Sequence, residues 1–220
     1  MEIITIPVEG RWQEALKTRD SLKGIMIITI IQARLGSKRL PNKVLADIIG
    51  KPMLIRVIER VEKSKLINDI VVATTTREED KQIILACIKK GVSWFAGSEQ
   101  DVLDRFYKVA LKYHPNFIVR ITADCPLIDP MVIDKTVGLF LEKGFDYASN
   151  IGTYPDGLDT EILTFEALER TWKEASSAYD REHVTTYIRN NPEKFKIGQL
   201  MPPEPITQDY HWSVDEQEDL

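Results

Sequence analysis

The chain holds only two cysteines, Cys87 and Cys125, and three histidines in 220 residues. With no Cys-x-x-Cys pair, neither a disulfide framework nor a zinc site is supported, and the usage fits a reducing cytoplasm. Residues 26–31, Met-Ile-Ile-Thr-Ile-Ile, form an apolar run far shorter than the ~20 residues that span a bilayer. The first 25 residues carry Glu2 and Glu9 and lack a cationic region followed by a long apolar core, so they are not read as a secretory signal. Positive charge is not in excess either: the net charge is -5, which argues against nonspecific nucleic-acid binding. The two commonest phosphate loops, Gly-x-x-x-x-Gly-Lys-Ser/Thr and Gly-x-Gly-x-x-Gly, are missing. No pattern recurs at a fixed period, which excludes a solenoid.

What is present is an ordinary globular composition, 43% hydrophobic and 29% charged, enough for one domain with a substantial core. Residues 1–24 are expected to be an N-terminal extension, with a short helix over Trp12 to Lys23, and residues 25–220 the functional domain. The β-branched run before Gln32 reads as a strand covered on both faces. After it, Pro52 suits a helix start, and Met53, Leu54, Val57, Ile58 and Val61 fall at helical spacing. Ile70 to Thr74, Val92 to Ala96 and Phe117 to Thr122 read as further strands. Thr76 with Glu79, and Ser98 with Asp101, read as capping boxes opening the intervening helices. Asp129-Pro130 opens another, over Met131 to Leu141. Such alternation predicts an α/β fold, a parallel sheet with helices on both faces and ligands at the carboxyl ends of strands.

From Asp146 the rhythm breaks. Tyr147 to Asn150, Thr160 to Thr164, Phe195 to Met201 and Tyr210 to Val214 are expected strands. Phe165 to Glu174 and Tyr179 to Asn190 are expected helices. This irregular half, with its loops over a rigid sheet, is where ligand specificity is expected to lie.

The chemistry concentrates in Gln32-Ala33-Arg34-Leu35-Gly36-Ser37-Lys38-Arg39-Leu40-Pro41-Asn42-Lys43. A loop leaving the end of a buried strand with Arg34, Lys38, Arg39 and Lys43 offers positive charge and backbone N–H groups to a polyphosphate. A solvated basic loop is the competing reading of any one of these charges. Asp124, at the end of a strand, is the best single carboxylate for a magnesium ion, which asks for hard oxygen ligands. A turn or N-cap aspartate is the alternative there.

The string Gln-Ala-Arg-x-x-Ser-x-Arg-Leu-Pro-x-Lys, continued by Gly50-Lys51-Pro52-Met53, resembles the signature of the cytidylyltransferases that make CMP-Kdo and CMP-sialic acid. Within them it is most similar to the spore coat polysaccharide biosynthesis protein F branch. The resemblance covers about residues 26–220. It implies a three-layer α/β/α, mostly parallel nucleotide-diphospho-sugar transferase (GT-A-like) fold. It also implies a Mg2+-dependent transfer of CMP from CTP to a sugar acid or related polyol for surface polysaccharide synthesis, by a homodimer.

Residue by residue, the resemblance gives Arg34, Lys43 and Asp124 catalytic roles. It places Ala33, Arg34, Gly36, Ser37, Arg39 and Lys43 on the nucleotide, with Ser98 and Arg105 near it. Asp124 falls in Thr-Ala-Asp-Cys-Pro-Leu, where Ala123 replaces the family's usual glycine. The late motif, Trp212 to Leu220, carries the second metal ligand to Asp215, for which an N-cap role is the alternative. Ser213 stands where sialic-acid activating relatives have another aspartate, which favours one ion over two. Asn150, Asp156, Asp159, Glu161, Arg181 and His183 match the branch's acceptor-side motifs. No Gly-x-Ser-x-Gly elbow supports a hydrolase triad around His183. A GT-A glycosyltransferase and a non-catalytic nucleotide-binding module are the rival readings; the former usually carries Asp-x-Asp, which Thr122-Ala123-Asp124 is not.

Overall fold

The computed structural model describes residues 4–7, 23–37, 39–206 and 210–220. The isoleucine-rich run forms β2 (Ile27–Gln32), buried on both faces as its composition requires. Its side chains alternate: Ile27 and Ile31 join one apolar cluster, Ile28 and Ile30 the other. Burial of each contributes roughly 2–3 kcal/mol.

Around it stand β3 (Asp69–Thr75), β4 (Ser93–Gly97), β5 (Phe117–Thr122), β6 (Tyr147–Ser149), β7 (Glu161–Thr164) and β8 (Ile197–Met201), with β1 (Ile4–Pro7) at one edge. The eight strands run β1-β8-β6-β7-β5-β2-β3-β4, all pairs parallel except those made by β7. The helices over Met53–Val61 (α1), Lys81–Lys90 (α2) and Pro130–Lys143 (α4) cover one face. Val102–Tyr113 (α3) and Phe165–Glu174 (α5) cover the other, with the short Ala178–His183 (α6) and Thr186–Arg189 (α7) beside them. This is the expected three-layer, mostly parallel α/β/α fold. Among the described residues no helix is long and apolar enough to cross a membrane.

Several local expectations are corrected. α2 does not begin at a Thr76–Glu79 box but at Lys81, after Asp80. The N-cap of α3 is Asp101, which accepts from the Asp104 amide; Ser98 lies in the turn before it, its hydroxyl accepting from the Asp101 amide. The single helix expected over Tyr179 to Asn190 is broken at Val184, whose φ of 57° no continuous helix allows. Tyr210 to Val214 is no strand: only His211 bridges, to Asp156. Its amides go to two different partners, Trp212 N–H to Asp156 O and Val214 N–H to Asp124 O, both at 2.8 Å. At the start, Ile4–Pro7 pairs with β8 and so extends the same sheet. The helix expected over Trp12 to Lys23 falls almost wholly outside the described residues, as does Lys38 of the cationic loop.

Candidate active site

The strand ends of β2 and β5 face a cleft of about 680 Å³, a size suited to a small-molecule ligand. The β2 loop supplies one wall. Ala33 extends the ladder to β3 through Ala73, after which the loop leaves the sheet and reaches a short 3-10 turn, Lys43–Leu45. Ala33, Arg34, Gly36, Ser37, Arg39 and Lys43 all line the cleft.

Lys43 is the centre of the arrangement. Its ammonium donates to Asp124 Oδ2 at 2.7 Å, to the Val214 carbonyl at 2.8 Å and to Asp215 Oδ1 at 3.0 Å. Arg39 adds a second cation, 2.8 Å from the same Asp215 oxygen. Burial opposes the charge on Lys43, but Asp124 and then Asp215 outweigh it and leave its pKa raised. Burial likewise opposes ionisation of Asp124, and the Lys43 charge and bond overcome it, so that carboxyl lies below its ordinary value.

Asp215 is delivered by backbone contacts. Gly157, at φ +96°, lets the Tyr-Pro-Asp-Gly turn touch the 211–213 segment: a Cβ there would lie 2.4 Å from the Trp212 carbonyl carbon. Asp156 then takes the Trp212 amide on its backbone oxygen, and its side chain lies 2.9 Å from His211 Nδ1. Ser213 donates to Asp156 Oδ2 at 3.2 Å. The far side of the cleft is Arg77, Glu99, Arg105 and Glu182. Arg34 Nη2 is 3.4 Å from Glu182 Oε1, and Arg77 is 2.8 Å from Glu99. Arg105 is 2% exposed, donates to the Ser98 carbonyl at 3.2 Å, and its buried Nε has no partner. Burial, then repulsion from Arg34, lowers its pKa to about 10.

The structure therefore brings together Arg34, Lys43, Asp124, Asp215, Arg105 and the loop residues, with His183 at the rim. It does not bring Ser98, Asn150, Glu161 or Arg181 to the cleft wall. Asn150 is buried and bonds Leu158 and Thr160 across its own loop. Glu161 is buried in a pair with Arg120, and its other oxygen accepts from Tyr147 and Thr185. Arg181 grips Asp101 through two nitrogens and the Trp172 carbonyl, tying α6 to the start of α3. Asp156 and Asp159 do not line the cleft either: Asp156 pairs with His211 Nδ1 at 2.9 Å, and the other ring nitrogen of His211 lies 3.8 Å from Asp215 Oδ2. Arg77 and His211 were not singled out from sequence; each sits in a charged or mixed stretch that reads equally well as solvated surface.

The same geometry tests a divalent ion. Two carboxylate oxygens and a carbonyl already surround one positive charge, the Lys43 ammonium. All three are hard oxygen donors, which fits magnesium. No group of three or more His, Cys, Asp or Glu gathers among the described residues, and magnesium with a polyphosphate needs only one or two carboxylates.

The sequence model of the cytidylyltransferase family matches residues 28–219. An uncharacterized protein of Methanocaldococcus jannaschii is 51% identical over 178 residues, 81% of this chain and 73% of its own length. The spore coat polysaccharide biosynthesis protein SpsF of Bacillus subtilis is 36% identical over 199 residues, 88% of this chain and 82% of its own. The solved structure of a cytidylyltransferase from Leptospira borgpetersenii superposes with a TM-score of 0.84 at 36% identity, over 89% of this chain and 83% of that one. The cationic loop and its two distant aspartates thus sit in a chain matched by the family nearly end to end: it belongs to the cytidylyltransferases and is a nucleotidyltransferase enzyme.

Proposed function

We propose that the cleft binds CTP and that the enzyme transfers CMP, with Mg2+, to a hydroxyl of a sugar acid or related polyol, releasing pyrophosphate. The single observation that carries this reading is the meeting of Lys43, Asp124 and Asp215 at one point beside the cationic loop. Arg34, Ser37 and the loop amides hold the triphosphate, and Arg105 lies under its nucleoside end. Asp124 and Asp215 would hold the metal, which when bound would supply Lewis-acid stabilisation of the triphosphate charge. Lys43 leaves the carboxylates and donates to the α-phosphoryl oxygens, where negative charge grows as the acceptor oxygen attacks in line.

Asp156, Asp159 and His183, outside or at the rim of the Lys43 centre, are the acceptor-side groups. Use of the product in surface polysaccharide synthesis is supported by the name of the Bacillus subtilis relative. With it we propose, from the family resemblance and from the two free buried cysteines respectively, a homodimer working in a reducing cytoplasm. A monomer in sedimentation velocity would remove the first of these.

The test is pyrophosphate release from CTP, ATP, GTP and UTP against a panel of acidic sugars. Release with CTP, lost by about three orders of magnitude in a folded Asp124→Asn variant, is the expected result. Tight nucleotide binding with no release from any of them, or an active Asp124→Asn, would overturn it.

A further inference from the structure

The cationic loop is held by a carboxylate that lies outside the cleft. Asp80 is 1% exposed and occupies the residue before α2, where an aspartate ordinarily caps the helix, yet its side chain caps nothing there. Oδ1 instead accepts from the Leu35 amide at 2.8 Å. Oδ2 accepts from the hydroxyl of Thr75, at the end of β3. One buried carboxylate thus joins the loop after β2 to the neighbouring strand.

Leu35 is the point on which the loop turns. Its side chain is buried, and its carbonyl accepts from the amides of Ser37 at 2.8 Å and Asn42 at 3.2 Å. Fixing Leu35 therefore fixes Arg34 before it, Ser37 after it, and the residue that precedes Lys43. The network reaches a second wall of the cleft: Thr75 Oγ1 also accepts from the Arg77 amide at 3.2 Å. Asp80 further supplies negative charge near Arg105, whose buried Nε is without a partner. A side chain that leaves the helix it precedes uncapped, and instead joins the cationic loop to the strand end that holds the Arg77 amide, reaches both sides of the cleft.

We propose that Asp80 is a positioning residue for nucleotide binding, setting the Leu35 amide and hence the cationic loop in the geometry that receives the triphosphate. This rests on the reading of the cleft as the CTP site. The experiment compares the native 220-residue chain with Asp80→Ala and Asp80→Asn. It reads CTP affinity in Mg2+ by calorimetry, melting temperature, and the Leu35 amide proton in 15N-leucine-labelled protein.

In Asp80→Ala the Leu35 amide resonance moves upfield and the CTP Kd rises about tenfold to a hundredfold. Asp80→Asn, which keeps an acceptor oxygen and loses the charge, falls between it and the native chain on both readouts. It decides alone if the alanine variant does not fold. A lower melting temperature in both variants with unchanged CTP Kd and an unmoved Leu35 amide overturns the positioning role and leaves Asp80 a structural residue. Failure of the native chain to bind CTP overturns the reading of the cleft itself, and is recognised because it needs no variant.

Discussion

Lys43 donates to Asp215 at 3.0 Å across 172 positions of sequence. The same ammonium holds Asp124 from 81 positions away. A cation between two carboxylates is a counter-ion that a divalent metal would have to displace, and that displacement frees the ammonium for phosphate.

Lys43→Met should therefore separate metal binding from turnover. Without the competing ammonium the two carboxylates repel each other and attract a free divalent ion more strongly. Mg2+ or Mn2+ affinity, titrated by calorimetry without nucleotide, is expected to tighten by about tenfold, while pyrophosphate release falls by about a hundredfold or more, the size of effect of one lost transition-state donor. Unchanged or weaker metal affinity would show that the two aspartates do not share an ion.

Gly157→Ala tests how Asp215 is delivered. The new Cβ would meet the Trp212 carbonyl carbon at 2.4 Å, on backbone at φ +96°. A loss of about 2 kcal/mol or more of stability is expected, together with a lower kcat, because the 211–215 segment must move and carries Asp215 with it. Thermal melting and kinetics on the folded fraction check both. Full activity would mean that the contact with the 156–157 turn does not position Asp215.

Asp159 gives a pH signature. Burial first, then Asp156 and Glu161, push its carboxyl from the ordinary 3.8 up to about 6, with Arg120 and Arg189 opposing. A raised carboxyl favours the fold when protonated: that contribution is whole below 3.8 and is lost as pH rises through about 6. Asp159→Asn, which cannot ionise, should match the native melting temperature below about pH 4 and exceed it above about pH 6. The gain is expected to be a few degrees, since the group is partly exposed. A variant less stable than the native chain at about pH 8 would contradict the assignment.

The parts of this site legible in the sequence were those written locally. The apolar β-branched run reads as a covered strand, and the cationic string after it lines the cleft at that strand's end. Asp124 was legible because it ends a strand, and Asp215 because its motif resembles the family's. Glu161 and Arg181 were misplaced for the opposite reason. Their partners, Arg120 and Asp101, lie 41 and 80 positions away, and no local pattern distinguishes a carboxylate buried in such a pair from one that faces a ligand.

Asp80 was overlooked because Arg77-Glu78-Glu79-Asp80-Lys81 reads as a solvated helix start, and burial of its third acidic residue depends on a loop 45 positions upstream. The break at Val184 could not be foreseen either, since a β-branched residue is among the least expected at positive φ. The strand expected over Tyr210 to Val214 failed because Asp156 and Asp124, from two different loops, take its alternate amides.

Diffraction from crystals grown with CTP and Mn2+, recorded at the manganese absorption edge, tests the central claim most directly. The account predicts one anomalous peak between the carboxylates of Asp124 and Asp215, with Lys43 turned from them onto the triphosphate. A peak elsewhere, or CTP bound with Lys43 still held by both aspartates, would contradict it.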